Sequence, residues 1–281
     1  MNRVGLASVL GFGLAAAACG SSDGTDFGSG ASGGAGGTGG SGGSVSQTEL
    51  EIVISATDEA FPHQDQLASQ TATQIRAGVR TLQLEDEQGQ RLTLFDSQTP
   101  VQVSYDAGAS SVLSSLKPDS VSAGHYVRAR LVQDWSRFDI QAVLHQDNQA
   151  LSGTLNILQV TSDGVTLDGE SYDSGDFVHQ FGGAGGNQEF TGVLPIPDES
   201  HTAEASAFIE DGAWVVYFPV DLTLSAGQVG RLEFRANLDH AFRWADADGN
   251  GYVNDVYDFA PPLFYETVSQ FGANRFEVIV K

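Results

Sequence analysis

The sequence predicts an all-β fold, an antiparallel β-sandwich preceded by a Gly/Ser-rich tether. Three observations predict it. After residue 47, apolar residues recur at every second position, the period of a strand with one buried face. Helical periodicity is nearly absent over the same stretch. Residues 20–45 are almost wholly Gly, Ser, Ala and Thr, which cannot bury enough apolar area to offset their ordering entropy.

Taken in order, Leu50, Ile52 and Ile54 alternate with Glu51, Val53 and Ser55. Val79 to Leu84 and Leu92 to Leu94 flank the turn Glu87-Gln-Gly-Gln90, which makes a hairpin. Val101 and Val103 begin another short strand. Ser122-Ala-Gly-His125 is a turn before Tyr126 to Val132, a strand with Arg128 and Arg130 on one face. Phe138, Ile140, Ala142 and Leu144 continue the rhythm. Strands follow over Leu151–Val160, Val165–Leu167, Trp214–Val220, Gly230–Leu238 and Phe276–Val280. Gly182 to Asn187 and Pro195-Ile-Pro197 are expected as long surface loops. The strand content suits one large sandwich or two small ones.

The segments Ile75-Arg-Ala-Gly-Val-Arg-Thr-Leu-Gln-Leu84, Thr93-Leu-Phe-Asp96 and Val121-Ser-Ala-Gly-His-Tyr-Val-Arg-Ala-Arg-Leu131 resemble bacterial surface lipoproteins with a transthyretin-like, Ig-like β-sandwich. The resemblance covers about the first hundred residues after the tether. It implies a sandwich fold and supplies no catalytic residue.

The N-terminus reads as a signal. Arg3 is followed by an apolar run from Val4 to Ala18 and then by Cys19, the one cysteine of the chain. The pattern resembles a bacterial lipoprotein signal, in which the thiol of Cys19 is acylated (palmitate among the chains) and becomes the new N-terminus. The run is too short to cross a bilayer as a helix. The expected organisation is a signal peptide over 1–18, a lipidated cysteine and flexible linker over 19–46, and the β-sandwich over 47–281. Gly20 after the cysteine points by resemblance to the outer membrane, facing periplasm or cell surface. A coil of this length has an end-to-end distance of roughly 30 Å.

A formal charge of −23 over 281 residues opposes binding to nucleic acid and to anionic headgroups. With Cys19 consumed, disulfides, thiolate–metal sites and cysteine nucleophiles are excluded from the folded part.

The strongest local motif is Asp246-Ala-Asp248-Gly-Asn250-Gly251-Tyr252-Val253-Asn254-Asp255. Oxygen ligands at positions 1, 3 and 5, then glycine at 6, follow the first part of an EF-hand-type calcium loop, and the Tyr252 carbonyl adds a further ligand. The run also resembles dockerin loops. Position 12 is Tyr257 instead of a carboxylate, so Asp255, Asp258 or Asn254 must complete the shell. The expected cofactor is Ca2+ over 246–258, at the affinity of extracellular modules, roughly 10⁻⁴–10⁻³ M.

A second acidic series, Asp163, Asp168, Asp173 and Asp176, falls in Ser-Asp-Gly and Leu-Asp-Gly turns. Paired carboxylates could serve glycoside hydrolysis; Asp-Gly is also a favoured hairpin turn. The six histidines show no zinc spacing and are expected as surface or hydrogen-bonded groups. Aromatics concentrate toward the C-terminal half, and Trp244, Tyr257 and Phe259 are candidate binding aromatics for a carbohydrate or protein ligand. Two function classes stay open: a lipid-anchored, non-catalytic binding or structural module, calcium-stabilised, or a carbohydrate-active hydrolase using carboxylates of 163–176.

Overall fold

The computed structural model describes residues 48–183, 186–194, 196, 199–201, 204–247 and 252–281. The signal, Cys19 and the tether lie outside the described residues. Within them the chain is an all-β sandwich: its one helical piece is a 3-10 turn at Pro118–Ser120, and no helix is long and apolar enough to cross a membrane.

One strand of 23 residues, Gly124–Gln146, organises the molecule. It fuses the two alternating runs expected at Tyr126–Val132 and Phe138–Leu144. One of its edges pairs with Thr73–Asp86 and, further along, with Tyr257–Ala260. Its other edge pairs with Ala213–Leu224 over the first half and with Gln149–Val160 over the second. A single strand therefore belongs to two packed layers.

The switch between them is a bulge. The register runs from Val79 opposite Gln133 to Gly78 opposite Trp135, which leaves Asp134 over. Before it the odd positions Ala129 and Leu131 are buried in the first core; after it the even positions Phe138, Ile140, Ala142 and Leu144 are buried in the second. One extra residue reverses the parity of a two-residue repeat. Asp134 is 2 % exposed and is held by the Arg80 guanidinium and by the Ser162 hydroxyl, which donates at 2.8 Å. Trp135 turns to the opposite face, against Leu158, Val160 and Val165. Gly78 is required there, because a Cβ would lie 2.1 Å from the indole nitrogen of Trp135.

The first core is closed by a four-stranded sheet in the order Arg275–Val280, Gly230–Asn237, Leu50–Thr57, Ser110–Leu116. Its two middle strands, Gly230–Asn237 and Leu50–Thr57, run parallel, a departure from an all-antiparallel sandwich. Val53 and Ser55 are buried as well as Leu50, Ile52 and Ile54, since this strand is central and Ser55 donates to Glu233 at 2.7 Å. The second core is covered by a short sheet in the order Thr267–Gln270, Phe242–Ala245, Ala68–Gln70.

Two sequence expectations are corrected. Val101 and Val103 do not start a new strand; they continue Arg91–Ser104. Gly182 to Asn187 is not a long loop, because Asp176–Gly183 and Gly186–Val193 form a ladder into it. Glycine at 153 and 183 makes room for the ring of Phe181, which would lie 2.6 and 3.0 Å from added Cβ atoms. Of Pro195-Ile-Pro197, only Ile196 is described.

Candidate ligand-binding cavity

Past the bulge, cross-strand register sets the inner face. Ala77 lies opposite Ser136, Ser136 opposite Gln159 and Gln159 opposite Phe177. One row on, Phe138 lies opposite Ile157, and Ile157 opposite His179. Positions two apart share a face, so both rows look toward the covering sheets. Those sheets do not close over them. A cavity of about 660 Å³ is left where the first core meets the second, beside Ile75, which packs against both.

Among the described residues, the lining contains no Asp, Glu, Lys or Arg. Phe138, Phe242, Tyr257, Tyr265 and Phe271 supply aromatic surface and Ala241, Leu238 and Val268 aliphatic surface. Val193 is 64 % exposed and Phe271 42 %, and both line the cavity, so its wall reaches the surface at each.

The wall also holds polar groups without partners. His179 is 5 % exposed, with Phe177 at 4.4 Å and Tyr265 at 5.7 Å between ring centroids. Burial pulls its imidazole down to about 4, so it is neutral at physiological pH. Its Nδ1 is sealed off with no hydrogen-bond partner. The Tyr105 and Ser136 hydroxyls are likewise buried and unpartnered, and burial pushes the Tyr105 hydroxyl up. A buried polar group left unpaired costs about 1–3 kcal/mol.

The other described histidine side chains follow expectation. His63 meets the Asp239 carbonyl, His125 meets Asp221, His145 meets Asp258 and His240 meets Asp239. The expectation fails at His179, which is neither surface nor hydrogen-bonded. Its sequence signal was the alternation Phe177, His179, Phe181, which puts the imidazole on an apolar face.

Of the candidate calcium loop, Asp248, Asn250 and Gly251 lie outside the described residues. Asp246 accepts from the Asp255 amide through Oδ2 at 3.1 Å, and its Oδ1 is buried with no partner. Asp258 is fully buried; it accepts from the Val253 amide at 2.7 Å and meets His145 Nε2 at 2.5 Å. Tyr252 stacks on Phe264 at 4.9 Å, and Asn254 is exposed. Glu266, which the sequence did not single out, joins the two ends of the loop by accepting from the Ala247 and Asp258 amides at 2.7 and 2.6 Å. Burial raises its carboxyl to about 7 against those two hydrogen bonds. Among the described residues, no group of three or more His, Cys, Asp and Glu is disposed to hold a metal.

The acidic turns cap backbone. Asp163 accepts from the Ser174 amide, Asp173 from the Gly164 amide and Asp176 from the Asp173 amide. Asp168 sits at a hairpin tip, at positive φ before Gly169, and meets Arg137 at 3.1 Å. Asp163, Asp168 and Asp173 are exposed. Trp244, Tyr257 and Phe259 are 0 %, 4 % and 0 % exposed; they are core side chains rather than a surface platform, and Tyr257 also lines the cavity.

Fold and site define a class: an all-β protein with a largely apolar cavity that, among the described residues, no charged side chain lines. Scans of protein-family models, curated proteins and solved structures match nothing to this chain.

Proposed function

We propose that this chain is a non-catalytic binding module that takes a small, uncharged, largely apolar molecule into the cavity between its two cores. The observation that carries this reading is the lining: about 660 Å³ of space, within the size range of small-molecule sites, walled by apolar and aromatic groups. A charged ligand would lose its hydration with nothing to pair it. In the same reading the body is held at the outer membrane by acyl chains on Cys19, displayed on its Gly/Ser-rich leash.

The test uses the purified chain carrying Cys19→Ser, so that no acyl chain competes. Pyrene fluorescence should report saturable binding, and bound pyrene should raise the melting temperature by mass action. Ser136→Leu, which fills space and removes an unpartnered hydroxyl, should abolish the signal while the fold persists. A folded protein that leaves pyrene in water ends the proposal.

Calcium belongs to the same reading as a brace for one wall, since Tyr257, at position 12 of the loop, lines the cavity. What supports it is the Asp246–Asn250 spacing together with the buried, unpartnered Oδ1 of Asp246. Calorimetric titration should give one site that Asp248→Ala removes; no heat from the unaltered chain refutes it.

A further inference from the structure

We propose that the natural ligand is a neutral, ring-bearing molecule with a hydroxyl or carbonyl group, and that His179 is the side chain that recognises that group. This rests on the binding reading above and goes further in naming the ligand's chemistry.

His179 is the most polar ring on the inner face and the least satisfied. It sits on Asp176–Gly183 with Phe177 and Phe181, both buried. No hydrogen bond to either ring nitrogen exists among the described residues, and Nδ1 is sealed from solvent. Nε2 is the nitrogen left to the cavity that His179 lines. A neutral imidazole carries one donor and one acceptor. A hydroxyl complements either tautomer, and a carbonyl complements the one with hydrogen on Nε2. A carboxylate is a poor match, because the imidazole is uncharged and, among the described residues, no cationic side chain lines the space. An ammonium is a poor match for the same want of a counter-charge.

The ring preference follows from the walls. Phe138 and Phe271 stack at 4.6 Å, and Phe138 leans on Phe242 at 5.7 Å. Tyr265 stands against His179 itself. Flat or alicyclic rings make large contact with such faces at low entropy cost. A site with an unpaired polar group in an apolar wall favours the molecule that pairs it over the one that does not.

Three fluorescent probes of one shape separate the outcomes: pyrene, 1-hydroxypyrene and 1-pyrenecarboxylate, at a pH where the second is neutral and the third ionised. The expected order is 1-hydroxypyrene tightest, pyrene weaker by about two- to tenfold as for one neutral hydrogen bond, and the carboxylate weakest. His179→Phe should erase the hydroxyl advantage, leaving 1-hydroxypyrene no tighter than pyrene. Nitrogen-15 resonances of His179 in the unaltered chain give a second reading should that variant fold poorly. They should move with 1-hydroxypyrene and stay nearly still with pyrene. Equal affinity for pyrene and 1-hydroxypyrene, or His179 resonances indifferent to the hydroxyl, overturns the role of His179 and leaves the cavity reading standing. Preference for the carboxylate overturns the assignment of a neutral ligand. Failure of all three probes to bind removes the binding reading itself.

Discussion

The two cores share one strand and differ in what fills them. Between the four-stranded sheet and the first half of Gly124–Gln146, Leu, Ile, Val and Ala dominate, and five of the twenty-five buried members are aromatic. Around the second half, six of twelve are aromatic. Branched aliphatic side chains from facing sheets interdigitate closely. Large rings spread over several short strands, Phe242 and Trp244 on the covering sheet and Tyr257 and Phe259 on Tyr257–Ala260, cover less evenly, and the space opens at the seam. Charge is handled differently too. In the first region, Glu233 sits 5 % exposed among Lys281 at 2.5 Å, Ser55 at 2.7 Å and Arg235 at 3.1 Å. In the second, buried polar atoms on His179 and Ser136 have no partner. One half is built for closure and the other tolerates an opening.

Truncation should show the largest contrast. Phe234→Ala, at 1 % exposure against Phe218, should lose about 3–5 kcal/mol in urea unfolding. Phe271→Ala at the cavity mouth, 42 % exposed, should lose less than about 1.5 kcal/mol, since little packing disappears. Equal losses would dissolve the distinction between the regions.

Acid acts on the second region before the first, through two opposed groups, His179 and Glu266. Burial holds folded His179 at about 4 against an ordinary 6.5. Between those values the unfolded chain binds the extra proton, so stability falls as pH drops through that window, by about 3 kcal/mol in all. Glu233 acts later. Burial would raise its carboxyl, but Lys281, Ser55 and Arg235 outweigh burial and hold it at about 2 against 4.5. Its contribution is present above pH 4.5 and lost as pH falls toward 2. Glu266 opposes His179 over nearly the same window: burial raises its carboxyl to about 7, the folded chain takes the proton first, and stability gains as pH falls toward 4.5. Denaturation curves from pH 7 to 2 should therefore be shallow above pH 4 and fall below it with Glu233, and His179→Phe should turn the upper part into a rise as pH drops from 7 to 4.5.

Gly78→Ala sharpens the role of the bulge. The new Cβ must displace the Trp135 indole, for a loss of about 1–3 kcal/mol, with a shift in tryptophan emission. Replacement without either change would mean that the indole has room to move. The smallest effect belongs to Asp168→Asn: an exposed pair with Arg137 should be worth less than about 1 kcal/mol.

Much of the fold is legible in the residues. The hairpin at Glu87–Gln90, the strand Val165–Leu167 and the terminal strand all follow from alternation and turn chemistry. The fusion of two runs through Asp134 was not legible, because a bulge looks like a break in the repeat until the partner strand shows which residue is left over. The Gly182–Asn187 stretch misled for a related reason: glycine reads as a loop, yet here it gives way to the Phe181 ring. His179 could be placed on a strand, but nothing local marks whether an inward histidine finds a partner. Trp244, Tyr257 and Phe259 were visible as a cluster, while their burial depended on partners far back in the chain, Ala68–Gln70 for Trp244 and Ala142–Leu144 for Tyr257 and Phe259.

The amino-acid order by itself determined the strand class and most strand positions. These depend on neighbours two residues apart and on turns of a few residues, and local sterics decide both. Only the tertiary structure decided that two cores hang on one strand, and that a largely apolar hollow lies between them. Both facts depend on how well distant surfaces fit, and a linear chain carries no direct record of the volume its folded layers fail to fill.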